Sequence, residues 1–212
     1  MTEENGNVYI VDDNDRFRRT LERVILQKGF SVEGFGSAEA FIKHLPVRHP
    51  ACLVLDVFLP GMDGLALQDG FLEKAGMPPI VFISGHGDIP MSVKAVKNGA
   101  VDFLVKPFDM ETLFGAIAKA LVRDCLIEEQ AIQKKKIQAL INTLTPREQD
   151  VMRQMITGKL NKQIAADLGI EEKTVRIHRS RLMRKLKMPS VADLVRFLER
   201  VGIVHPPSDL PQ

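Results

Sequence analysis

The sequence predicts an α/β domain built on a parallel five-stranded sheet, followed by a smaller all-α domain. In the first half of the chain, short apolar runs alternate with amphipathic segments, which is typical of a parallel sheet covered by helices on both faces. In the second half, apolar residues recur at helical spacing. The 212 residues are enough for two domains with hydrophobic cores.

The first β/α unit begins with an apolar strand at 8–11. A helix follows it and ends near Gly29, since glycine commonly terminates helices. Helical spacing predicts that one face of this helix contains Phe17, Leu21, Val24 and Ile25.

The next four strands are predicted at 31–35, 52–56, 80–84 and 102–105. Between them, Ser37 and Asp109 are predicted N-caps, Pro90 suits a first helical turn, and Gly99 suits a helix end. The first half therefore contains five β/α units.

A long helix over 109–142, continuous or interrupted, is expected to pack on the sheet with its first third and to serve as a linker with the rest. The basic run 134–136 is interpreted as a solvated face of this linker. The predicted organisation is a first domain at 1–123, a helical linker at 124–142, a second domain at 143–205 and a disordered tail at 206–212.

The second domain opens with a capping box, in which Thr145 is the N-cap, Pro146 the first helical residue and Glu148 the third. Gly169 then separates a short helix from a longer, basic one, as in a helix-turn-helix motif. The longer helix is expected to bury Ile170, Val175, Leu182 and Leu186. A last helix is predicted at 190–201.

Composition excludes several classes of protein. Hydrophobic residues make up 45% and charged residues 26%, as in ordinary soluble domains. Cys52 and Cys125 have no disulfide or zinc spacing and are interpreted as buried or incidental thiols in a reducing cytosol. The acidic start lacks the features of a signal peptide, and no stretch has membrane-spanning length, so a cytoplasmic protein without a membrane partner is expected.

Charge is distributed unevenly between the two halves. Residues 1–123 contain 13 Lys and Arg against 16 Asp and Glu, a net charge of −3. Residues 124–212 contain 16 against 11, a net charge of +5. The first half therefore suits a cation and the second a polyanion such as DNA.

Five polar side chains follow the predicted strands of the first domain. If the sheet has the flavodoxin-like order 2-1-3-4-5, ligands bind where the winding reverses, at the carboxyl ends of strands 1 and 3. Asp12 and Asp13 follow strand 1, and Asp56 ends strand 3. Ser84 and Lys106 stand at the ends of strands 4 and 5. These groups are expected to converge on one rim of the sheet.

Three carboxylates at one rim raise one another's pKa values unless a cation neutralises them, and oxygen ligands favour Mg²⁺. Asp56, with Lys106 and Ser84 beside it, is then equipped as a nucleophile toward a phosphoryl group. Each residue alone has a simpler interpretation: the acidic pair as a turn, Ser84 as a strand end, Lys106 as a surface lysine. Their joint placement favours the functional site.

The basic helix has one exposed stripe that can enter a major groove of double-stranded DNA. This stripe contains Lys173, Arg176, Ile177, Ser180 and Arg184. The residues expected to contact phosphates are Lys162, Thr174, Arg179, Arg181 and Lys185. Arg176 is the strongest candidate for a base contact, and a solvated basic helix is the competing interpretation for any single residue.

The motifs YIVDDND, VLDVFLPGMDG, VFISGHGD and GAVDFLVKPF resemble the receiver domain of bacterial two-component response regulators. The resemblance implies phosphorylation of Asp56 by a sensor histidine kinase and Mg²⁺ binding by Asp12, Asp13, Asp56 and the backbone of Phe58. It also implies a relay through Ser84, Phe103 and Lys106, and a cis Lys106-Pro107 peptide. Phe103 replaces the tyrosine common at this position, and simple core packing is nearly as good an interpretation of it.

Residues 143–203 resemble the LuxR/FixJ/NarL-type DNA-binding module, through LTPREQDVMRQMITGKLNKQIAADLGI and KTVRIHRSRLMRKL. This implies four helices that bind DNA as a dimer, with the last helix forming much of the dimer contact. Glu171 stands where a serine-like cap is common. His178 is interpreted as a packing or phosphate-contacting residue.

The chain is accordingly identified as a response regulator whose phosphorylation controls transcription, by pairing the protein into homodimers or by releasing the basic domain. It is not expected to be an enzyme beyond its own phosphorylation and dephosphorylation. The rivals are an aspartyl phosphatase or phosphotransferase acting on a small substrate, and a DNA-binding protein that does not depend on phosphorylation.

Overall fold

In the computed structural model, the described residues are 6–71, 76–86 and 89–199. Contacts divide the chain into a first unit, Met1–Glu128, and a second unit, Glu129–Gln212. The predicted tail and the end of the predicted last helix lie outside the described residues. Among the described residues, none of the helices has the length and apolar character needed to cross a bilayer.

The first unit contains a parallel five-stranded sheet. Its strands are β1 (Asn7–Val11), β2 (Ser31–Phe35), β3 (Ala51–Asp56), β4 (Ile80–Ser84) and β5 (Asp102–Val105). The strand order β2-β1-β3-β4-β5 confirms the predicted flavodoxin-like topology. In the register, Val11 pairs with Leu55 and Asp56 pairs with Ile83, so β1 and β3 end at the same rim.

Five helices alternate with these strands. They are α1 (Asp15–Gln27), α2 (Ala38–His44), α3 (Gly64–Phe71), α4 (Ile89–Lys97) and α5 (Met110–Asn142). Asn14 caps α1, Ser37 caps α2 and Asp109 accepts from the Thr112 N–H at the start of α5. The predicted long helix is thus confirmed as one continuous α5.

Two hydrophobic clusters of the first unit lie on opposite faces of the sheet. Leu53 and Leu55 point into one and Val54 into the other, because successive side chains of a strand alternate between faces. Every residue of β3 is buried, Cys52 included, and burial raises the pKa of the Cys52 thiol far above its usual value. Cys125 is exposed. The buried β3 carries Asp56 to the rim.

The second unit is helical. After α5 it contains α6 (Pro146–Met155), α7 (Asn161–Leu168), α8 (Glu172–Lys185) and α9 (Val191–Glu199). The predicted capping box is confirmed: Thr145 Oγ1 accepts from the Glu148 N–H at 3.3 Å, and Glu148 Oε2 accepts from the Thr145 N–H at 2.8 Å. Gly169 adopts φ +63°, a left-handed conformation that glycine reaches without strain, and turns the chain from α7 toward α8.

Candidate acidic centre and nucleic-acid interface

Three carboxylates meet at the carboxyl rim of the sheet. Oxygens of Asp12, Asp13 and Asp56 all lie within 4.8 Å of one another, as expected from the strand order. Asp12 and Asp56 are buried because each sits directly at a strand end, whereas Asp13 is exposed. Asp56, the candidate phosphoryl acceptor, therefore lies in an acidic cluster whose member Asp13 faces solvent.

Lys106 joins two of these carboxylates. Its Nζ donates to Asp12 Oδ2 at 2.8 Å and to Asp56 Oδ2 at 2.7 Å. The Lys106 N–H donates to the Ser84 carbonyl at 2.7 Å, and the Lys106-Pro107 peptide is cis. The lysine predicted at the end of β5 thus points into the acidic cluster.

Burial and charge together shift the pKa values of this group. Burial raises the pKa of Asp12 above its usual value, although Lys106 and the Asn14 N–H oppose the rise. Burial alone lowers the pKa of Lys106, but its hydrogen bonds to Asp12 and Asp56 outweigh burial and raise it. Lys106 is therefore a permanent cation beside the candidate nucleophile.

The donor set at this rim fits Mg²⁺. The three carboxylates supply only oxygen ligands, which hard divalent cations prefer. The Phe58 backbone lies beside them, since its N–H donates to Asp56 Oδ1 at 3.0 Å. Because Asp13 is exposed, a hydrated Mg²⁺ ion can reach the carboxylates from solvent.

Two of the three relay candidates, Ser84 and Phe103, contact groups outside the carboxylate cluster. The Ser84 hydroxyl is buried at the end of β4, donates to the His86 carbonyl at 2.7 Å and accepts from the His86 N–H at 3.2 Å. It is therefore bonded to its own loop and not to Asp56. Phe103 is half-buried, with its ring centroid 6.2 Å from that of Phe82.

Sequence reasoning missed one residue that supports the acidic cluster. Arg18 on α1 donates from one guanidinium nitrogen to the Asp12 carbonyl at 2.7 Å and from the other to Asp15 at 2.5 Å. It ties α1 to the loop that carries Asp12 and Asp13. Its position six residues after Asp12 is compatible with this contact, but only the fold shows which acceptor it selects.

The predicted groove stripe on α8 is exposed along its length. Its five residues, together with Arg181, line one shallow depression of the surface. Ile177 is 43% exposed in the middle of the stripe. On the opposite side of the helix, Val175 and Leu182 are buried, as predicted. A basic face with an apolar centre therefore points to solvent.

Two protein-family models match the chain, one in each unit. The model of the response regulator receiver domain matches residues 8–118, just over half of the chain. The chain belongs to the response regulator family. The model of bacterial regulatory proteins of the luxR family matches residues 142–198. This response regulator therefore combines a receiver domain with a LuxR-type DNA-binding domain and is a transcriptional regulator, not a classical enzyme.

Similar proteins align with residues of both units. The response regulator protein TmoT of Ectopseudomonas mendocina is 44% identical over 95% of this chain and 91% of TmoT. The transcriptional regulatory protein FixJ of Rhizobium meliloti (strain 1021) is 40% identical over 90% of this chain and 93% of FixJ. The response regulator thus aligns with relatives along nearly its whole length.

Solved structures support the same assignment. The low-resolution structure of the response regulator StyR matches with a TM-score of 0.73 at 42% identity, over 92% of this chain and 98% of StyR. Full-length FixJ from B. japonicum matches with a TM-score of 0.57 at 35% identity, over 95% of this chain and all of that chain.

Lys185, a predicted phosphate contact, has two hydrogen-bond partners inside the second unit. Its Nζ donates to Glu148 Oε2 at 2.7 Å and to the Thr143 carbonyl at 3.2 Å. The Glu148 side chain is only 3% exposed, so the response regulator needs Lys185 to neutralise a buried carboxylate. Helical periodicity alone does not reveal this partner, which lies 37 residues earlier.

Arg179 also has a partner inside the DNA-binding domain. Its guanidinium donates to Asn161 Oδ1 at 2.7 Å and so links α8 to the start of α7. Lys162 and Arg181 are exposed and Thr174 is half-buried. His178 is half-buried and Glu171 caps α8 without a side-chain hydrogen bond.

Proposed function

We propose that this response regulator is phosphorylated on Asp56 by a sensor histidine kinase and that phosphorylation controls its binding to specific DNA sequences. The observation that carries the proposal is the convergence of three carboxylates and Lys106 at the rim of the receiver sheet. The proposed receiver is 1–123, the linker 124–142, the DNA-binding domain 143–205 and the tail 206–212.

Phosphoryl transfer follows from this geometry. A carboxylate oxygen of Asp56 attacks the phosphorus atom, and the bond between phosphorus and the kinase histidine nitrogen breaks. The electron pair of that bond stays with the imidazole, which takes up a proton, and Asp56 becomes an acyl phosphate. Lys106 stabilises the negative oxygens of the transferring group, because its ammonium already lies 2.7 Å from Asp56 Oδ2. The chain catalyses at most this reaction and the hydrolysis of its product.

Asp12, Asp13, Asp56 and the Phe58 backbone are the proposed Mg²⁺ ligands. When bound, Mg²⁺ supplies positive charge that neutralises the phosphoryl oxygens. In the proposed switch, Ser84 leaves the His86 backbone for a phosphoryl oxygen, and Phe103 changes its packing. Phosphorylated receivers then pair, so that two DNA-binding domains engage double-stranded DNA together.

The deciding experiment compares the native chain with Asp56→Asn after incubation with Mg²⁺ and acetyl phosphate. The native chain should gain one phosphoryl group in its intact mass, and Asp56→Asn should gain none, since the amide is not a nucleophile of this kind. Affinity for a DNA sequence selected by the phosphorylated protein should rise only for the native chain. Phosphate on the native chain without a change in DNA affinity would contradict the proposed control.

As the pH is lowered, Mg²⁺ binding should begin to weaken at a higher pH than it would if Asp12 had the ordinary pKa of an aspartate. Asp12 must lose its proton to bind the ion, and burial raises its pKa above the usual value of about 3.9. The raised pKa also affects the free energy of unfolding of the metal-free protein. Asp12 stabilises the fold fully at pH values below the usual aspartate pKa, and this contribution is lost as the pH rises through the raised pKa. Calorimetric titration with Mg²⁺ between pH 4.5 and pH 7, with Asp13→Asn as a weaker-binding reference, checks the first expectation.

Arg176→Ala should reduce discrimination between DNA sequences. The Arg176 guanidinium forms an exposed ion pair with Glu172 at 3.0 Å, which is weak enough to be replaced by a contact with a guanine base. Loss of such a base contact costs about 1–3 kcal/mol of sequence discrimination. The matched control is Lys162→Ala, which removes an exposed charge at a proposed phosphate contact. It should weaken binding to all sequences alike and reduce the salt dependence by about one counterion. The reverse pattern in fluorescence-anisotropy titrations would mean that another face of α8 enters the groove.

A further inference from the structure

An aromatic ring lies against Lys106 in the acidic centre, which is formed by Asp12, Asp13, Asp56 and Lys106. Phe17 lies in the first turn of α1, and the Nζ atom of Lys106 is 4.2 Å from the centroid of its ring. An ammonium has three N–H donors, and two of those of Lys106 already bond Asp12 and Asp56. The aromatic face is the third group in contact with this cation.

Phe17 is fixed through its backbone and through a second aromatic ring. Its backbone N–H donates to Asn14 Oδ1 at 3.1 Å, which fixes the start of α1. Its ring meets that of Phe108 edge-on, with centroids 6.3 Å apart and planes at 80°. The side chain of Lys106 is only 22% exposed, so the contact between cation and ring is largely shielded from water. Shielding from water strengthens a cation–π interaction.

We propose that Phe17 is a positioning residue for phosphoryl transfer to Asp56, because its ring holds the Lys106 ammonium in place. This inference rests on the proposed function. During transfer, Lys106 must exchange its bond to Asp56 for one to a phosphoryl oxygen. The ring keeps the same contact before and after this exchange, because it binds the cation through its face and not through an oxygen that changes partner.

A purely structural role predicts different behaviour. Phe17 also packs against the cluster that contains Leu21 and Ile25. If packing were its whole contribution, the electron density of the ring would not matter, and leucine would cost no more than at other half-buried aromatic positions of the cluster. Phe30 is such a position, since it packs on the same cluster and stacks on Phe114 away from the acidic centre.

The test uses the full chain with phenylalanine, mono-, di- and trifluorophenylalanine at position 17, and the variants Phe17→Leu and Phe30→Leu. The rate of Asp56 phosphorylation is measured over a range of acetyl phosphate concentrations in saturating Mg²⁺. Fluorine withdraws charge from the ring face, so the saturating rate should fall stepwise along the series, and Phe17→Leu should lower it roughly 3- to 30-fold. Phe30→Leu should leave it within about twofold.

Two results would overturn the inference. One is a saturating rate that stays constant along the fluorinated series, which would leave the ring only a packing role. The other is an equal loss for Phe17→Leu and Phe30→Leu. A failure of the proposed function is recognised separately, because the native chain itself would then carry no phosphate on Asp56, and the inference would fall with it.

Discussion

Lys106→Met should lower the rate of Asp56 phosphorylation about 100-fold or more. The ammonium of Lys106 lies 2.7 Å from Asp56 Oδ2. It therefore places a positive charge where the oxygens of the incoming phosphoryl group are expected to lie. Removing one preorganised donor of this kind commonly costs about 100- to 1,000-fold in rate. The measurement is the initial rate with acetyl phosphate and Mg²⁺, followed by intact mass.

Lys43→Met is the matched control, since Lys43 is an exposed lysine of α2 outside the acidic centre. The Lys43→Met protein should be phosphorylated on Asp56 at the native rate. Thermal unfolding of both variants must be recorded, because Lys106→Met leaves two buried carboxylates facing each other without their shared cation. A Lys106→Met protein that is folded and phosphorylated within threefold of the native rate would contradict a role for this lysine in transfer.

Lys185→Met should destabilise the DNA-binding domain. It leaves the Glu148 carboxylate, 3% exposed, without its cation. Removing one partner of a buried pair costs about 3–5 kcal/mol. Because the Lys185 side chain is itself 35% exposed, solvent screens the pair, and a loss of about 1–3 kcal/mol in unfolding free energy is expected. Hydrogen exchange of peptides from α6 and α8 localises the loss to this domain.

The same pair makes the effect of Lys185→Met depend on pH. Burial raises the pKa of Glu148, but hydrogen bonds from Lys185 and Thr145 outweigh it and lower the pKa below its usual value. A lowered pKa stabilises the fold above the usual glutamate value of about 4.3, and this contribution disappears as pH falls through the folded-state pKa. The difference between native and Lys185→Met should therefore be full at pH 7 and shrink below about pH 4.

Two variants separate this account from simple loss of charge. Lys173→Met removes an exposed lysine of the same helix and should leave stability within about 0.5 kcal/mol of the native protein. The double variant Lys185→Met, Glu148→Gln should recover part of the lost stability, since an amide is less costly to bury than an unpaired carboxylate. A destabilisation that is the same at pH 4 and pH 7 would be inconsistent with the ion pair as its cause.

Local patterns were sufficient to predict the elements and the rim. Four strands, β1, β3, β4 and β5, contain an apolar run, and the caps at Ser37 and Thr145 are short motifs whose hydrogen bonds span three residues. Asp12 and Asp56 each lie at the end of such a run, so a parallel sheet brings them together once its strand order is known. Predicting that Asp12 and Asp56 lie close together therefore required only the strand order in addition to the sequence.

Side-chain partners were not predictable in this way. Lys185 and Arg184 are adjacent basic residues at the end of α8, yet Lys185 bonds the buried Glu148 while Arg184 lines the exposed stripe. Phe17 could be predicted only as an apolar residue of a helix face, and its contact with Lys106 joins residues 89 positions apart. Such contacts depend on which groups tertiary packing leaves beside one another.

The sequence by itself determined the two-domain organisation, the strands and helices, the acidic residues at the strand ends and the exposed face of α8, because these follow from hydrophobic periodicity and from residues placed at the ends of elements. Only the tertiary structure decided which charged groups are used inside the protein and which are free for phosphate or DNA. The reason is physical: a buried carboxylate such as Glu148 requires a cation from wherever the fold supplies one, and sequence spacing does not encode that neighbour.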